Sequence, residues 1–332
     1  MEEESSKKYQ LKFDKKEIIE KIKQTGKYES GDAKIIKWED DMNTDTEMYI
    51  IKNKLYKYPF IGVVNYEFKR EGYCVNTYQN GDEYFGYYSN DLRNKQGLYI
   101  YKPKQIINKS IIRQYYFGLW ENDRKHGRGI YLWLKDNSTN LYKKAYNPFN
   151  DFDNSSFNGY VGEFEYDNFT KGTLLKKEGE NYFVFHGNLD TKTLKKNGKE
   201  CFYYSAKLEQ IFYGAFRNDI FIEGYIGKFN ENGEIDNIAK YKNKKIIEKD
   251  NSNEFDNNKI ISKKIQMFRN VIMSKDYFGD LYNIFQDVIN FKNENMNDIN
   301  LFNSDKYLDL MEIGTSYNQV SIFKEVEKYI NQ

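Results

Sequence analysis

Aromatic and small residues alternate along the middle of the 332-residue chain. The clearest run covers residues 116–120 (YFGLW), and a second run, 130–133 (IYLW), follows after a short polar stretch. A period of two residues is typical of β-strands, because successive side chains point to opposite faces of the sheet. The two runs therefore predict a pair of antiparallel strands that carry aromatic side chains.

The same phrase occurs six times between residues 60 and 229. It consists of an aromatic residue, a glycine two positions later, an aromatic or apolar residue two positions after that, and a second glycine about ten residues on. Turn-forming residues, mainly Asn and Asp, separate the halves, so each unit is predicted to be a β-hairpin. A glycine in mid-strand leaves room for the ring of a neighbouring strand to lie across the backbone. The first glycines of the units are Gly62, Gly86, Gly118, Gly162, Gly187 and Gly214.

This phrase resembles the MORN repeat (membrane occupation and recognition nexus). Residues 116–131 match that repeat nearly position for position, through Gly118, Trp120, the glycine pair Gly127 and Gly129, and Tyr131. The resemblance spans residues 60–233, although the preferred tryptophan and the complete glycine pair occur in this one copy. It implies an elongated antiparallel β-hairpin array, a MORN-like twisted sheet. Together with the helical pattern described below, this predicts a mainly β fold with a helical C-terminal region, in which α-helices cap the array. It also implies a cytoskeletal or membrane-associated scaffold, and some similar proteins have phosphoinositide affinity.

Glycine usage marks the domain boundaries, since 18 of the 22 glycines fall between Gly62 and Gly233. We expect about six hairpins, hence about twelve strands, in one twisted ribbon. The predicted regions are an N-terminal segment at 1–59 with a helix at 15–23 and strands at 34–38 and 48–51, the repeat array at 60–240 with insertions at 102–114 and 134–158, and a helical region at 241–332.

Beyond residue 241 the apolar period changes to that of a helix. Leu281, Phe285 and Ile289 form one apolar stripe. Such a stripe is buried either on the open end of the ribbon or against another chain, which includes a second copy in a homodimer. The predicted elements are a linker at 242–257 and helices at 258–273, at 275–291, from Ser304, and at 320–330.

Catalytic motifs are missing from the sequence. The two cysteines, Cys74 and Cys201, and the two histidines, His126 and His186, lack the spacing of a metal site. His126 occupies the His-Gly position of the resembled repeat and is predicted to be structural. No phosphate-binding loop or nucleophile elbow is present. We therefore expect no enzyme activity, no cofactor and no bound metal.

Charge and hydropathy narrow the choice of partners. The formal net charge of +1 does not favour nucleic-acid binding. No apolar run approaches the roughly 20 residues of a membrane helix, and no secretory leader is recognisable, so a cytoplasmic protein is expected. The one charge-rich stretch is 102–144, which includes Lys102, Lys104, Arg113, Arg124, Lys125, Arg128, Lys143 and Lys144.

Two functions from different classes follow from these observations. The first is a non-catalytic scaffold that mediates protein–protein interactions at a cytoskeletal or membrane-associated structure. The second is a peripheral module that binds phosphoinositides or another anionic membrane surface through the basic stretch at 102–144. Basic residues that merely solubilise two inserted loops are the simpler explanation of that stretch.

Overall fold

The computed structural model describes residues 27–30, 33–38, 48–53, 60–65, 67, 69–105, 111–136, 156–178, 181–191, 193–247 and 255–273, together with residues 20 and 24. Within these residues, eighteen strands form one antiparallel sheet. The strands are β1 (Lys27–Ser30), β2 (Ala33–Trp38), β3 (Met48–Asn53), β4 (Phe60–Asn65), β5 (Arg70–Thr77), β6 (Glu83–Ser89), β7 (Leu92–Ile100), β8 (Lys104–Gln105), β9 (Ile111–Glu121), β10 (Arg124–Asp136), β11 (Ser156–Glu165), β12 (Asn168–Glu178), β13 (Asn181–Leu189), β14 (Lys196–Ser205), β15 (Gln210–Arg217), β16 (Ile220–Phe229), β17 (Ile235–Lys242) and β18 (Lys245–Ile247).

Each strand pairs with the strand before and after it in the chain, so the sheet is a long meander. The exception is β8, a two-residue strand that pairs with the start of β9 while β7 pairs with β9 directly. Antiparallel neighbours need only short connections, which is why consecutive hairpins can build the whole sheet.

Two-residue turns with described geometry close five of the hairpins. In each of them both central residues have a positive φ, for example 49° at Asn122 and 68° at Asp123. This is the type I′ geometry, whose twist matches that of the flanking strands, and Asn and Asp tolerate it well. The turns are Asn90-Asp91, Asn122-Asp123, Tyr166-Asp167, Asn218-Asp219 and Asn243-Lys244, and the first four are the turns that the sequence predicts.

Alternation along the strands gives the sheet two apolar faces. One, the aromatic face, is built mainly from rings, and its buried residues include Tyr84, Tyr116, Trp120, Tyr160 and Phe185. The other, the helix face, is richer in aliphatic side chains, and its buried residues include Val75, Leu98, Phe117, Ile130, Val161, Val184, Phe202 and Ile211. Both faces are therefore apolar, unlike an antiparallel sheet with one side in water.

A single described helix of more than one turn, α1 (Phe255–Met273), packs on the helix face near the C-terminal end of the sheet. Phe268 stacks on Phe202 with ring centroids 4.6 Å apart. Gln266 accepts a hydrogen bond from the Ile235 amide (3.0 Å) and donates one to the Gly233 carbonyl (3.0 Å). Because Gln266 binds the backbone of the turn before β17, the position of α1 on the sheet is specific.

The predicted fold class, a mainly β hairpin array capped by helix, is confirmed. The predicted helix at 258–273 corresponds to α1, which begins at Phe255. The sheet extends past the predicted array on both sides: β2 and β3 match the predicted strands and pair on to β4, and β18 lies in the predicted linker. Additional strands satisfy backbone groups that an array ending at 60 or 240 would leave unpaired.

Several predictions fall on residues that the structure does not describe. These are most of the helix at 15–23, most of the insertion at 134–158, and the helices at 275–291, after Ser304 and at 320–330. The stripe of Leu281, Phe285 and Ile289 therefore also lies outside the described residues.

His186 is buried between the sheet and α1, with Nδ1 2.9 Å from the Thr173 hydroxyl and its ring 6.4 Å from that of Phe268. Burial, with a smaller contribution from Lys171, lowers the pKa of His186 to about 4. The unfolded chain, whose histidine pKa is about 6.5, then binds the proton more tightly than the folded chain. Stability should be complete above about pH 6.5 and decline as the pH falls toward 4.

We expect this histidine to reduce the free energy of unfolding by about 3 kcal/mol between pH 7 and pH 4. Urea unfolding at both pH values, compared between the parent and His186→Gln, measures it, because glutamine keeps a hydrogen-bonding partner for Thr173 and does not titrate. His126→Gln serves as the control at a half-buried histidine. An equal loss of stability in the parent and in His186→Gln would contradict the prediction.

Candidate interaction surface

One row of small residues crosses the sheet at right angles to the strands. The register places glycine or cysteine opposite glycine or cysteine from β4 to β13 and again from β14 to β16. Between β13 and β14 the register shifts, and Gly187 lies next to the Cys201 side chain. The row consists of Gly62, Cys74, Gly86, Gly97, Gly118, Gly129, Gly162, Gly172, Gly187, Cys201, Gly214 and Gly224. It contains all six first glycines of the predicted repeat, so the sequence phrase and the sheet register coincide.

Tyrosine rings explain the glycines in the central repeats. The ring of Tyr116 lies over Gly118 in its own strand and Gly129 in the next, and a Cβ on Gly118 would lie 2.6 Å from the Tyr116 hydroxyl and 2.5 Å from the Gly129 Cα. That hydroxyl donates a hydrogen bond to the Leu119 carbonyl (2.7 Å). Tyr84 and Tyr160 repeat the arrangement, donating to the carbonyls three residues on at 3.0 and 2.9 Å.

Burial raises the pKa of these tyrosines above the usual value, so their hydroxyls remain protonated donors. A buried hydroxyl without a partner is costly, and the carbonyl acceptor removes that cost. The tyrosine at the start of each central repeat is thus held at both its ring and its hydroxyl.

The C-terminal repeats meet the same constraint in another way. Phe185 and Phe212 replace tyrosine, and Gly187 faces the Cys201 thiol. At Gly214 and Gly224, φ is 151° and 143°, and an added Cβ would collide with carbonyl oxygens of the facing strand. The predicted reason for Gly214, the approach of an aromatic ring, therefore does not hold, because the close neighbour there is backbone.

Trp120 joins two repeats. Its ring stands edge-on to Tyr84 of the preceding repeat (5.5 Å) and to Tyr116 of its own (5.1 Å), and its indole Nε1 donates to the Gly97 carbonyl at 3.3 Å. Phe164 has the same relation to Tyr116 (5.0 Å) and Tyr160 (5.3 Å). Edge-to-face pairs of this kind add stabilisation beyond their buried area. Neighbouring repeats therefore depend on each other for their cores.

Ion pairs between successive hairpin tips form a second connection. Asp123 accepts hydrogen bonds from the Arg93 amide (2.7 Å) and guanidinium Nε (3.0 Å), while the Asp123 amide donates to the Arg93 carbonyl (3.0 Å). The Arg93 guanidinium also lies over the Trp120 ring at 4.3 Å. We call each such pair a tip clamp, and the four are Arg70–Asp91, Arg93–Asp123, Lys125–Asp167 and Lys196–Asp219.

The tip clamps are contacts that the sequence reasoning missed. For two of them the signal is a basic residue two positions after a turn aspartate, as in Asp91-Leu92-Arg93 and Asp123-Arg124-Lys125. It pairs with the turn of the following hairpin, so it is visible only after the units are aligned. Phe169 and Phe221 hold this position after Asp167 and Asp219, and there the series is interrupted.

The structure does not bring the described cations of the predicted basic stretch together on one surface. Lys125 lies against Tyr116 and Trp120 on the aromatic face, while Arg128 pairs with Glu163 (3.2 Å) on strand positions that alternate with that face. Arg113 is half-buried. Lys102, Lys104 and Arg124 are exposed, and Lys143 and Lys144 lie outside the described residues.

The described cysteine and histidine side chains that could be reactive are held in packing or ion-pair contacts. Burial raises the pKa of Cys201 to about 11, which keeps its thiol protonated and unreactive. His126 lies 3.4 Å from a Glu121 carboxylate oxygen and beside the Tyr166 ring. Across the described ranges, no group of three or more His, Cys, Asp or Glu side chains could hold a metal ion. Of the described helices, none is long and apolar enough to cross a membrane.

A scan against protein-family models finds no match, and a search of curated proteins finds no similar chain. Function is therefore inferred from the repeat phrase and from the geometry of the sheet.

Replacing Gly118 by alanine should destabilise the sheet by about 3 kcal/mol, because the new methyl group meets backbone and a buried hydroxyl. Gly159→Ala is a matched control in β11, since its Cβ would meet only the end of the Leu132 side chain at 3.1 Å. Chemical unfolding of both variants measures the difference. Equal stability of the two would remove the packing explanation of the repeat phrase.

The cost of losing a tip clamp should depend on how exposed its aspartate is. Asp123→Gly keeps an Asn-Gly type I′ turn and the backbone carbonyl that accepts from Arg93 (2.9 Å), but it removes a carboxylate that is 30% exposed, at a cost of about 2 to 3 kcal/mol. Asp219→Gly makes the same turn at an aspartate that is 45% exposed, where water screens the pair with Lys196 more strongly, and should cost about 1 kcal/mol. Unfolding in low and high salt compares them. A larger loss at Asp219 would contradict this ranking.

Proposed function

We propose that the protein is a non-catalytic scaffold of the MORN-repeat type, which holds protein partners at a cytoskeletal or membrane-associated structure. The observation that carries the proposal is the row of glycine and cysteine from Gly62 to Gly224, over which the aromatic phrase repeats in register. A fold made of one repeated unit offers extended surface rather than one enclosed site.

Dimensions support a scaffold. Strands about 4.8 Å apart give the described sheet a length on the order of 80 Å along its hydrogen-bonding direction, before twist is considered. Trp120 and Phe164 couple adjacent repeats, and the tip clamps couple adjacent turns. A sheet coupled on this scale can hold partners at fixed separations, which a set of flexibly linked hairpins could not do.

The chemistry of the buried face supports binding over catalysis. The polar groups of the aromatic face, such as the hydroxyls of Tyr84 and Tyr116, are occupied by backbone carbonyls. Side chains that remain available lie at hairpin tips and at sheet edges, where loops usually carry function. Protein recognition at these positions requires no change in the buried rows.

Exposed Lys102, Lys104 and Arg124 favour the second candidate function, attachment to an anionic membrane. Two other cations of the same stretch, Lys125 and Arg128, are engaged by Asp167 and Glu163. With each basic residue near the surface contributing about 1 kcal/mol, three exposed cations give weak attachment. We therefore rank lipid binding below protein binding.

Proximity labelling in the native cell and vesicle sedimentation together test the proposal. We expect labelled neighbours from one cytoskeletal or membrane-associated structure, and little sedimentation of purified protein with phosphoinositide vesicles at 150 mM salt. The double variant Lys102→Glu/Lys104→Glu should keep the neighbours, as should Lys259→Glu/Lys263→Glu on exposed sites of α1. A different result would favour a lipid-binding module over a scaffold. In that case the parent would sediment strongly with the vesicles in a salt-sensitive way, and only Lys102→Glu/Lys104→Glu would lose both this sedimentation and the labelled neighbours.

A further inference from the structure

The last described strand, β18, is exposed along its whole length. Among the described strands it pairs with β17 alone, and Ile246 and Ile247 are 61% and 44% exposed. The helix α1 contacts β14, β15 and β17 and so covers the neighbouring face rather than this edge. Exposed isoleucines on a terminal strand are unusual, because such an edge is a template for pairing with another chain.

The turn before β18 determines which backbone groups point outward. Asn243 and Lys244 form a two-residue turn with φ of 55° and 62°, so Lys242 and Lys245 are the hydrogen-bonded pair that closes it. In an antiparallel ladder the next pair, Tyr241 and Ile246, is not hydrogen-bonded. The N–H and C=O of Ile246 therefore point away from β17, toward an edge that no described strand covers.

The two isoleucines present apolar surface on both sides of this edge. Ile246 stands opposite Tyr241, whose ring stacks on Phe221 of the aromatic face at 5.3 Å. Ile247 alternates with it and faces the side of the sheet that carries α1. A strand added beside β18 would cover apolar surface on both faces while pairing with the backbone of Ile246.

Positive charge surrounds the same edge. Lys242, Lys244 and Lys245 lie on the β17–β18 hairpin, and Lys242 is 3.8 Å from Glu223. Such a field attracts a negatively charged segment and raises its rate of association. It also opposes pairing with a second copy of this chain, which would bring two sets of these lysines together.

We propose that β18 accepts an extended, acidic segment of a partner protein, with alternating apolar residues, as an additional strand. This inference rests on the proposed scaffold function and adds the place and chemistry of one partner contact. Backbone hydrogen bonds to Ile246 hold the segment, its apolar side chains cover Ile246 and Ile247, and its carboxylates meet the lysines.

The test uses the full chain and fluorescein-labelled eight-residue peptides. One alternates glutamate and valine, and its matched counterpart alternates lysine and valine. We expect the acidic peptide to bind at least tenfold more tightly than the basic one, with an affinity that falls as salt rises. Ile246→Pro should weaken binding at least tenfold, because proline removes the outward N–H but none of the hydrogen bonds to β17.

Matched variants distinguish the contribution of the Ile246 N–H to peptide binding from that of the lysine charges. Ile246→Thr keeps the N–H and should retain most of the binding, and Lys244→Glu/Lys245→Glu should reverse the preference between the two peptides. Ile260→Thr, at a similarly exposed isoleucine of α1, is the control and should bind as the parent does. Thermal melting confirms that each variant is folded.

Three outcomes would overturn the inference. The first is equal binding of the acidic peptide by the parent and by Ile246→Pro. The second is that the same lysines bind anionic vesicles but not the peptide. The third is that the parent forms a dimer and Ile246→Pro is a monomer. If the acidic peptide binds the parent and Ile246→Pro equally while proximity labelling still finds neighbours in the native cell, only the assignment of β18 is wrong. If proximity labelling of the parent finds no such neighbours, the proposed scaffold function itself is wrong.

Discussion

The close approach of tyrosine rings to the backbone of two adjacent strands is the constraint on which the sheet depends. Tyr116 can cover Gly118 and Gly129 only if neither residue has a side chain and if the two stand opposite each other. A slip of one residue would place the buried side chain of Phe117 or Ile130 on the wrong face. The repeat phrase thereby fixes the register of each strand pair, and a chain with many similar hairpins avoids mispairing.

Alignment of the rows makes the other contacts possible. With the glycines in register, the turn of one hairpin lies beside the first residues of the preceding return strand, and Asp123 meets both the amide and the guanidinium of Arg93. Trp120 fills the space between two tyrosines and lies beneath the same guanidinium. Rings and ion pairs are thus parts of one arrangement, so their contributions to stability are not additive.

Local patterns allowed much of this fold to be predicted. Period-two aromatics, Asn-Asp turns and the helical period after residue 241 gave the hairpins, four of the turns and α1, since each depends on residues close in sequence. The last described strands, β17 and β18, lack the phrase; β17 falls at the end of the predicted array, and β18 falls in the predicted linker. The tip clamps join residues 21 to 42 positions apart, and only the register places them together. The backbone approach at Gly214 could not be distinguished from a ring contact by sequence.

The row of small residues ends before the sheet does. Gly224 of β16 faces Tyr241 of β17, so the pairing of small residues stops at β16. The pairing of the strands that follow depends on backbone hydrogen bonds, on the stack of Tyr241 on Phe221, on the two-residue turn and on the attachment of α1 to the turn before β17. Side-chain shape therefore constrains an added strand least at this end. Where the repeat no longer specifies the next strand, we propose that positive charge and exposed apolar surface select the partner segment.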